Sequence, residues 1–312
     1  MLEGVRSLVV LAMPYAAAAS GGSERGRGRI ARYAWTGDDY HDVIHPKLKR
    51  LGRVITEAMP TAKFRGVVDT APLLEREIAN LAGLGWQGKN TLLLNQRFGS
   101  YFFLACLLTD VELPVSKPQQ SAHCGTCTAC LDACPTKAFP APGVLDATRC
   151  ISYLTIEHPG PIATELREPI GDWLFGCDVC QEVCPWNRKP SRLHADQDSD
   201  LESLELSSLF DLDDDAFRAR FRKTPLWRTK RRGVLRNAAI VLGNQMDEAA
   251  VGALRIGLCD SESMVRGAAA WALGTIARHD SIVALQQRLE LEPDSDVQDE
   301  IRSALNARPQ QT

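Results

Sequence analysis

Apolar and polar positions alternate in two ways along the first third of the chain. Short apolar runs have the length of buried strands and lie at residues 7–13, 91–94 and 101–108. Residues 45–59 and 72–84 instead carry the apolar spacing of amphipathic helices. Strands that alternate with helices predict a sheet covered by helices. We therefore expect an α/β domain at residues 1–115, within a chain whose overall fold class is α+β and multidomain.

The last third has a different pattern, which is helical and repeats itself. The segment NAAIVLG at residues 237–243 is matched 31 residues later by AAAWALG at residues 268–274. Small residues at a helix crossing and an apolar stripe on each helix are what stacked helical hairpins require. We expect a linker and HEAT-like helical repeats over residues 191–312. An ordinary helical bundle is the alternative, and a polar loop is expected at residues 188–200.

Composition narrows the class of protein. Of the 312 residues, 45% are hydrophobic and 24% are charged, which is the makeup of a globular protein and excludes disordered and fibrous classes. The longest apolar runs are far shorter than the roughly 20 residues that span a bilayer, so we expect no membrane association. An early apolar run loosely resembles a secretory signal, but Glu3 precedes it and Pro14 interrupts it. We expect a cytoplasmic protein.

Ten cysteines are present, and eight of them lie between Cys124 and Cys184. In a cytosolic protein such clustering indicates metal binding rather than disulfides. The first run, C-x2-C-x2-C-x3-C-P, has the spacing of a bacterial-type ferredoxin, in which the fourth cysteine serves the other [4Fe-4S] cluster. The second run has the spacing C-x2-C-x3-C-P. We expect a ferredoxin-like domain with two [4Fe-4S] clusters at residues 116–190.

Eight thiolates fill two such clusters without remainder. The predicted first set is Cys124, Cys127, Cys130 and the distant Cys184, and the predicted second set is Cys134, Cys150, Cys177 and Cys180. A pair of zinc sites is the main alternative, since zinc sites also use C-x2-C pairs. The triple spacing of the first run favours iron and sulfur over zinc. Cys106 and Cys259 lie in apolar surroundings, and we expect both to be inert core thiols.

Four segments of the N-terminal domain have the composition of a cofactor pocket. They are RYAWTGDDYH (32–41), VVDTAPLLER (67–76), GLGWQGKNT (83–91) and FGSY (98–101). Glycines there permit close backbone approach, while tryptophan, lysine and asparagine supply an amphipathic wall with polar groups. No G-x-G-x-x-G follows a strand and no G-x4-G-K-[ST] is present, which excludes nicotinamide-binding Rossmann and P-loop sites.

Together with CGTCTACLDACPT, RCISYLTIEH, GCDVCQEVCPWN and RNAAIVLGN, these segments resemble the epoxyqueuosine reductase family over nearly the whole chain. The resemblance implies an oxidoreductase that depends on cobalamin and two [4Fe-4S] clusters, with a core related to reductive dehalogenases. It also implies the reaction, which converts epoxyqueuosine at the wobble position of tRNA to queuosine and is the last step of that pathway. Family members usually carry a further segment before the first strand, so we expect the N-terminal part of the cofactor domain to be missing.

The resemblance implies site residues as well. Asp69 is the implied proton donor, because the departing epoxide oxygen must be protonated to leave as water. The alternative is that Asp69 only caps a helix that begins near Pro72. The expected cobalamin contacts are Arg32, Tyr33, Tyr40, His41, Thr70, Lys89, Asn90, Ser100 and Tyr153. For His41, which begins a D-x-H-x-x-G pattern that Ile44 breaks, a cobalt ligand and a polar pocket residue both remain open.

A basic stripe stands out against a net charge of −3, which excludes a globally basic nucleic-acid binder. Residues 222–236 hold seven Lys and Arg and no acid. Such a stripe neutralises phosphates, and adjacent helical repeats commonly present binding surfaces. A solvated helix face is the alternative. The expected contacts with the anticodon stem-loop of tRNA are Trp227, Arg228, Lys230, Arg231, Arg232, Arg236 and Asn237.

Two other functions fit part of the pattern. A ferredoxin-like electron carrier would use the eight clustered cysteines but would leave the N-terminal segments without a role. A corrinoid reductive dehalogenase would act on a small halide and would need no basic helical-repeat tail. Each of these functions also requires an electron donor, which the sequence does not identify.

Overall fold

The computed structural model describes residues 2–15, 24–188, 201 and 203–306, which divide into two compact units. Within these ranges the first unit comprises residues 2–15, 38–146 and 178–188, and the second comprises 24–37, 147–177, 201 and 203–306. Each unit is therefore assembled from separate stretches of chain. The domain boundaries near residues 115 and 190 stay a prediction. The loop expected at residues 188–200 lies outside the described residues beyond Arg188.

The described residues contain eight strands and twelve α-helices. The strands are β1 Ser7–Pro14, β2 Arg27–Ile30, β3 Phe64–Val67, β4 Trp86–Gln87, β5 Leu93–Leu94, β6 Phe102–Thr109, β7 Trp173–Phe175 and β8 Ser203–Glu205. The helices are α1 Tyr40–Ala58, α2 Glu75–Leu81, α3 Ala129–Asp132, α4 Ile151–Ile156, α5 Thr164–Ile170, α6 Val179–Glu182, α7 Asp214–Phe221, α8 Lys230–Asn244, α9 Val251–Gly257, α10 Ser263–Ile276, α11 His279–Leu291 and α12 Ser295–Asn306.

The main sheet of the first unit has β6 at its centre, antiparallel to β1 on one side and β3 on the other. Successive side chains of β6 point to opposite faces, so both faces of the sheet are packed. Cys106 faces a layer that contains Val67, whereas Leu107 packs with Leu48 of α1 on the opposite face. This antiparallel sheet covered by helices gives the chain the mixed α/β character expected from its sequence.

The predicted elements of this unit are largely present, with shifted ends. The apolar runs at 7–13 and 101–108 form β1 and β6, but the run at 91–94 contributes only the short β5, which pairs with β4. The helix expected at 45–59 begins at Tyr40, because the Asp39 side chain accepts a hydrogen bond from the His41 amide and caps it. The helix expected at 72–84 begins only at Glu75.

The second unit combines a small sheet with the helical tail. β2 pairs in parallel with β7 and antiparallel with β8. Close helix crossings explain the repeated small residues: a Cβ at Gly243 of α8 would lie 2.7 Å from Trp271 of α10, and one at Gly274 would lie 2.5 Å from Ala304 of α12. The repeated motif therefore marks positions where neighbouring helices touch. Among the described residues, no helix is both long and apolar enough to cross a membrane.

One expectation about the tail is wrong. We expected Cys259 to be a core thiol, but this residue is exposed. It follows α9, where Leu258 is 2% exposed. Neighbouring positions of a helical turn point about 100° apart, so the buried leucine directs the next side chain outward. Cys106 is buried as expected.

Candidate functional site

Four cysteines of the first unit come together although one is far away in the sequence. Cys124 and Cys127 lie in the turn before α3, Cys130 lies within α3, and Cys184 follows α6. Burial raises the pKa of the Cys130 thiol, and the nearby thiols of Cys184, Cys124 and Cys127 raise it further. Electrostatic coupling of this kind requires short separations. The four thiols therefore lie near one another, and their assignment to one cluster stays a prediction.

The Cys184 thiol is buried, lies near two other cysteines and receives backbone hydrogen bonds. Burial raises the pKa of this thiol, hydrogen bonds from the backbone of Trp186 and Asn187 lower it, and Cys124 and Cys127 raise it. Backbone N–H donors to cluster sulfurs are one of the means by which a protein sets a cluster's reduction potential. Among the described residues, no group of three or more Cys, His, Asp or Glu is arranged to hold a metal ion. A [4Fe-4S] cluster makes a different demand, because each of its four cysteines binds a different iron.

The predicted second set is divided between the units. Cys134 and Cys180 belong to the first unit, and Cys150 and Cys177 belong to the second. The Cys134 sulfur accepts a hydrogen bond from the Ala138 amide at 3.3 Å. All ten cysteines lie in the described ranges, and none of them forms a disulfide. The assignment of the second set stays a prediction.

Lys89 braces the first cysteine loop, a contact that the sequence did not reveal. Its ammonium donates to the carbonyl oxygens of Gly125 at 2.8 Å and Cys127 at 2.9 Å. The Lys89 carbonyl in turn accepts from the Gly143 amide at 2.8 Å. A flexible lysine that reaches two carbonyls holds the loop from outside. We expected Lys89 to contact a cofactor. In the structure its ammonium group instead donates to the loop that carries Cys124 and Cys127.

Ser100 and Asn90 are also engaged with protein groups near α6. The Ser100 hydroxyl donates to Gln181 Oε1 and accepts from Asn187 Nδ2, both at 2.9 Å. The Ser100 amide donates to Asn187 Oδ1 at 2.8 Å. Asn90 Nδ2 donates to the Cys180 carbonyl at 3.4 Å. The cofactor contacts expected for Ser100 and Asn90 stay predictions, and the sequence did not indicate Gln181 and Asn187 as partners of Ser100.

Asp69 lies in the turn between β3 and α2 and is exposed. Its backbone φ of 53° is in the left-handed region, which aspartate adopts more readily than most residues. The Tyr40 hydroxyl donates to Asp69 Oδ2 at 2.9 Å, and the Asp69 amide donates to Glu75 Oε1 at 3.1 Å. The alternative role as a helix cap is wrong, because α2 begins six residues later with Leu74 at the cap position. Thr70, the next residue, is also exposed.

Tyr40, which donates to Asp69, is part of an aromatic stack. The Tyr40 ring lies against Phe103 with centroids 4.4 Å apart and against His41 at 4.2 Å. His41 Nδ1 is 2.7 Å from Asp39 Oδ1. A donor at Nδ1 makes Nε2 of a neutral imidazole an acceptor. Nε2 of His41 is buried and has no hydrogen-bond partner among the described residues.

Three further expected cofactor contacts belong to the second unit. Arg32 is 6% exposed, with its guanidinium carbon 5.7 Å from the Trp35 ring centroid. Tyr33 lies 6.0 Å from Phe175 between ring centroids. Tyr153 lies 6.1 Å from His158 in the same measure. These residues are part of packed aromatic surroundings, and their contact with cobalamin stays a prediction.

The basic stripe divides into exposed and buried residues. Lys230 places its ammonium 3.8 Å from the Trp227 ring centroid, and Arg228 forms an ion pair with Glu157 at 2.9 Å. Arg232 is exposed, with Glu262 at 3.9 Å. Each of these side chains borders solvent, so the stripe presents cations and one aromatic ring at the surface.

Arg236 and Asn237 are instead interior residues, so their expected contact with tRNA is wrong. Arg236 is 0% exposed and donates to the carbonyl oxygens of Leu154, His158 and Gly160. Burial lowers the pKa of its guanidinium to about 10. Asn237 Nδ2 donates to two backbone carbonyls. The sequence of the basic stripe did not reveal that some of its cationic side chains point into the protein and others into solvent.

Arg231 is the intermediate case. Its guanidinium is held by Asp260 at 2.5 Å and by the Leu212 carbonyl at 2.7 Å. The side chain is 14% exposed. An arginine already paired in this way has few donors left for a phosphate.

Three family models match parts of the chain. They are described as "Epoxyqueuosine reductase QueG, DUF1730" over residues 1–70, "4Fe-4S double cluster binding domain" over residues 123–187 and "HEAT repeats" over residues 228–306. The second match supports the assignment of the cysteine block to [4Fe-4S] clusters rather than zinc. The third supports helical repeats rather than an ordinary bundle.

Individual proteins are similar over most of the chain. An epoxyqueuosine reductase of Pseudomonas aeruginosa is 50% identical over 69% of this chain and 60% of its own length. One of Xanthomonas campestris pv. campestris is 43% identical over 79% of this chain and 70% of its own. The chain thus spans between three fifths and seven tenths of the length of these relatives.

Structural similarity extends further than these alignments. A crystal structure of epoxyqueuosine reductase with a tRNA-Tyr epoxyqueuosine-modified stem loop matches with a TM-score of 0.90 and 34% identity. The match covers 98% of this chain and 82% of that one. On the combined similarity of sequence, motifs and fold, the chain belongs to the epoxyqueuosine reductase family.

Proposed function

We propose that this protein reduces epoxyqueuosine in the anticodon of tRNA to queuosine, as an oxidoreductase that uses cobalamin and two [4Fe-4S] clusters. The observation that carries the proposal is the exposed Asp69, whose carboxyl accepts from the Tyr40 hydroxyl and whose amide donates to Glu75, on the unit that also carries the four cysteines predicted for the first cluster. The family's relatives and the stem-loop complex of a similar protein support the substrate. Its place of action is the cytoplasm.

The chemistry requires electrons and protons in equal number. Conversion of the epoxide to an alkene takes two electrons and two protons and releases one water. Asp69 gives a proton to the departing oxygen, which leaves poorly as an anion. Its exposure suits an acid that meets a large substrate from solution. The electrons come from a reductant that the sequence does not identify.

The residues of the first unit have a group that fits a bound cofactor. Nε2 of His41 is buried without a partner, and a buried acceptor of this kind calls for a donor from a ligand. Cobalamin, when bound, supplies the reducing chemistry at the epoxide carbon. His41 and Tyr40 are the candidates to contact it in this unit, and Arg32, Tyr33 and Tyr153 are the candidates in the second. Thr70, Lys89, Asn90 and Ser100 complete the proposed set.

The exposed part of the basic stripe is the proposed contact surface for the anticodon stem-loop. Arg228, Lys230 and Arg232 supply cations for phosphates, and Trp227 supplies a ring for stacking on an unpaired base. Phosphate contacts fix position and are sensitive to salt. Arg231 contributes to the structure of this surface through its ion pair with Asp260 and has few donors left for a phosphate.

The test is turnover under nitrogen. Protein supplied with cobalamin and a chemical reductant is mixed with an anticodon stem-loop that contains epoxyqueuosine, and nucleosides are measured by mass spectrometry. We expect queuosine with the unaltered protein and a loss of about 100-fold or more in kcat for Asp69→Asn, the size of a general-acid contribution. Asp42→Asn, an exposed aspartate in the first turn of α1, is the matched control.

Two outcomes would contradict the proposal. Absence of queuosine from cobalamin-supplied protein with intact clusters would remove the function. Full turnover by Asp69→Asn would remove Asp69 as the proton donor while the function stood.

A further inference from the structure

Glu75 is the second carboxyl group of the Asp69 site, and no role in the reaction has been assigned to it above. It is the first residue of α2, and its Oε1 accepts the Asp69 amide at 3.1 Å. The five residues between them include exposed ones such as Thr70 and Leu74, the latter 68% exposed. Ala71 and Leu73 of this loop pack against the Val67 and Cys106 layer, whereas Asp69 itself is exposed and depends on its polar contacts for a defined conformation.

The first turn of α2 is fixed by contacts with the rest of the first unit. The adjacent Arg76 donates from Nη1 to the Thr91 carbonyl at 2.6 Å. Ala79 in the middle of the helix is fully buried against Leu93 and Phe102. Glu75 itself is half-buried. A carboxylate fixed on a packed helix is a better anchor for a mobile segment than one on the segment itself.

The Asp69 backbone needs such an anchor. A φ of 53° is sparsely populated by residues with a side chain and persists where the surroundings fix it. The amide of Asp69 points to Glu75 in this conformation, and its carboxyl meets the Tyr40 hydroxyl. Without the bond to Glu75, the backbone would relax to other regions and the carboxyl would leave the Tyr40 hydroxyl.

The groups that face Glu75 come from three elements. They are Asp69 of the loop, His41 of α1 and Cys106 of β6. Burial raises the pKa of the Glu75 carboxyl, the hydrogen bond from the Asp69 backbone lowers it, the Asp69 charge raises it and His41 lowers it. Protonation would weaken the bond, because a charged acceptor makes the stronger hydrogen bond.

We propose that Glu75 is a positioning residue for the reaction, whose carboxylate holds the Asp69 backbone so that the Asp69 carboxyl is presented to the substrate. The inference rests on the proposed function for its effect on turnover. The expected effect of Glu75 on the loop is independent of the proposed function, since the bond to the Asp69 amide is a property of the protein alone. Glu75 acts through Asp69 and touches no substrate.

The experiment uses three variants of the complete chain with its clusters. Glu75→Ala removes the acceptor, Glu75→Gln keeps an acceptor oxygen without the charge, and Glu77→Ala removes an exposed acid from the same first turn of α2. Glu77→Ala therefore controls for the charge at the helix start. The readouts are kcat and KM for the epoxyqueuosine stem-loop, and hydrogen exchange of the Asp69 amide by mass spectrometry of short peptides.

We expect Glu75→Ala to lower kcat about 10-fold with KM for the stem-loop within about 2-fold, the size of one lost hydrogen bond to a charged group. The Asp69 amide should exchange about 10-fold faster for the same reason. Glu75→Gln should restore most of both properties, and Glu77→Ala should match the unaltered protein. A general loss of structure would instead lower iron content and affect both Glu75 variants.

Failure of this inference is distinct from failure of the proposed function. Turnover by the unaltered protein together with unchanged turnover and exchange in Glu75→Ala would overturn the positioning role and leave the function intact. An equal loss in Glu75→Gln and Glu75→Ala would also overturn it. A third outcome is that the unaltered protein makes no queuosine but the Asp69 amide exchanges faster in Glu75→Ala. That result would support the role of Glu75 in fixing the loop and would contradict the proposed function.

Discussion

Cys106 and Cys259 show how strongly position alters a single residue type in this chain. Cys106 is 0% exposed within β6, and burial together with the nearby Glu75 charge raises its pKa to about 11. Cys259 is exposed beyond the end of α9. Only the thiolate reacts rapidly with alkylating agents, so burial and the raised pKa disfavour reaction at Cys106, while its exposure favours reaction at Cys259.

We expect iodoacetamide at pH 8 to label Cys259 in the folded protein and to spare Cys106. Raising the thiol pKa from 9.0 to about 11 lowers the thiolate fraction at pH 8 from roughly one in ten to about one in a thousand. Labelling of Cys106 should therefore increase with pH and with unfolding. Peptide mass spectrometry measures both sites, and denatured protein is the control. Equal labelling of the two thiols in folded protein would contradict the structure.

At the scale of elements, α8 has an outer and an inner face that carry the same residue type for different purposes. Arg232 is exposed within the basic stripe, whereas Arg236, one turn later, donates to carbonyls of α4 and the residues after it. The two arginines are a matched pair on one helix. Their substitution separates stability from binding of RNA.

We expect Arg236→Met to lower the free energy of unfolding by about 3 kcal/mol or more, because several buried carbonyls lose their donor. Arg232→Gln should change it by less than about 0.5 kcal/mol, as exposed substitutions usually do. It should instead weaken stem-loop binding and reduce the salt dependence by about one phosphate contact. Urea unfolding and binding titrations at several salt concentrations measure the two effects. Weaker binding with normal stability in Arg236→Met would contradict the burial of that side chain.

At the scale of the whole molecule, the division of eight cysteines into two sets can be tested by counting iron. We expect about eight irons in the unaltered chain and about four in Cys184→Ala. Cys130→Ala combined with Cys184→Ala should still leave about four, since both residues serve one cluster. Cys150→Ala combined with Cys184→Ala should leave almost none. Iron analysis and EPR under nitrogen measure the result, with Cys259→Ala as control. Loss of all iron in the Cys130 and Cys184 pair would contradict the division.

Much of this architecture could be predicted from the sequence because its signals are local. Apolar runs located β1 and β6, and glycine and alanine spacing located the helix crossings. Cysteine spacing indicated four thiols that lie near one another. The contacts that could not be predicted join distant residues through backbone atoms. Glu75 meets the amide of Asp69 only because that residue has a positive φ, and Lys89 meets carbonyls 36 and 38 residues away. Side-chain types at these positions carry no sign of such partners.

The buried guanidinium of Arg236 has a consequence for anyone who shortens or exchanges the tail of this protein. A chain cut before α8 would leave the oxygens of Leu154, His158 and Gly160 without their donor, in a segment that begins next to Cys150. Each hydrogen bond to a charged donor such as this guanidinium contributes about 1.5–3 kcal/mol to stability. The helical repeats are therefore bonded into the second unit, and their loss would weaken the segment that follows Cys150, a predicted cluster ligand.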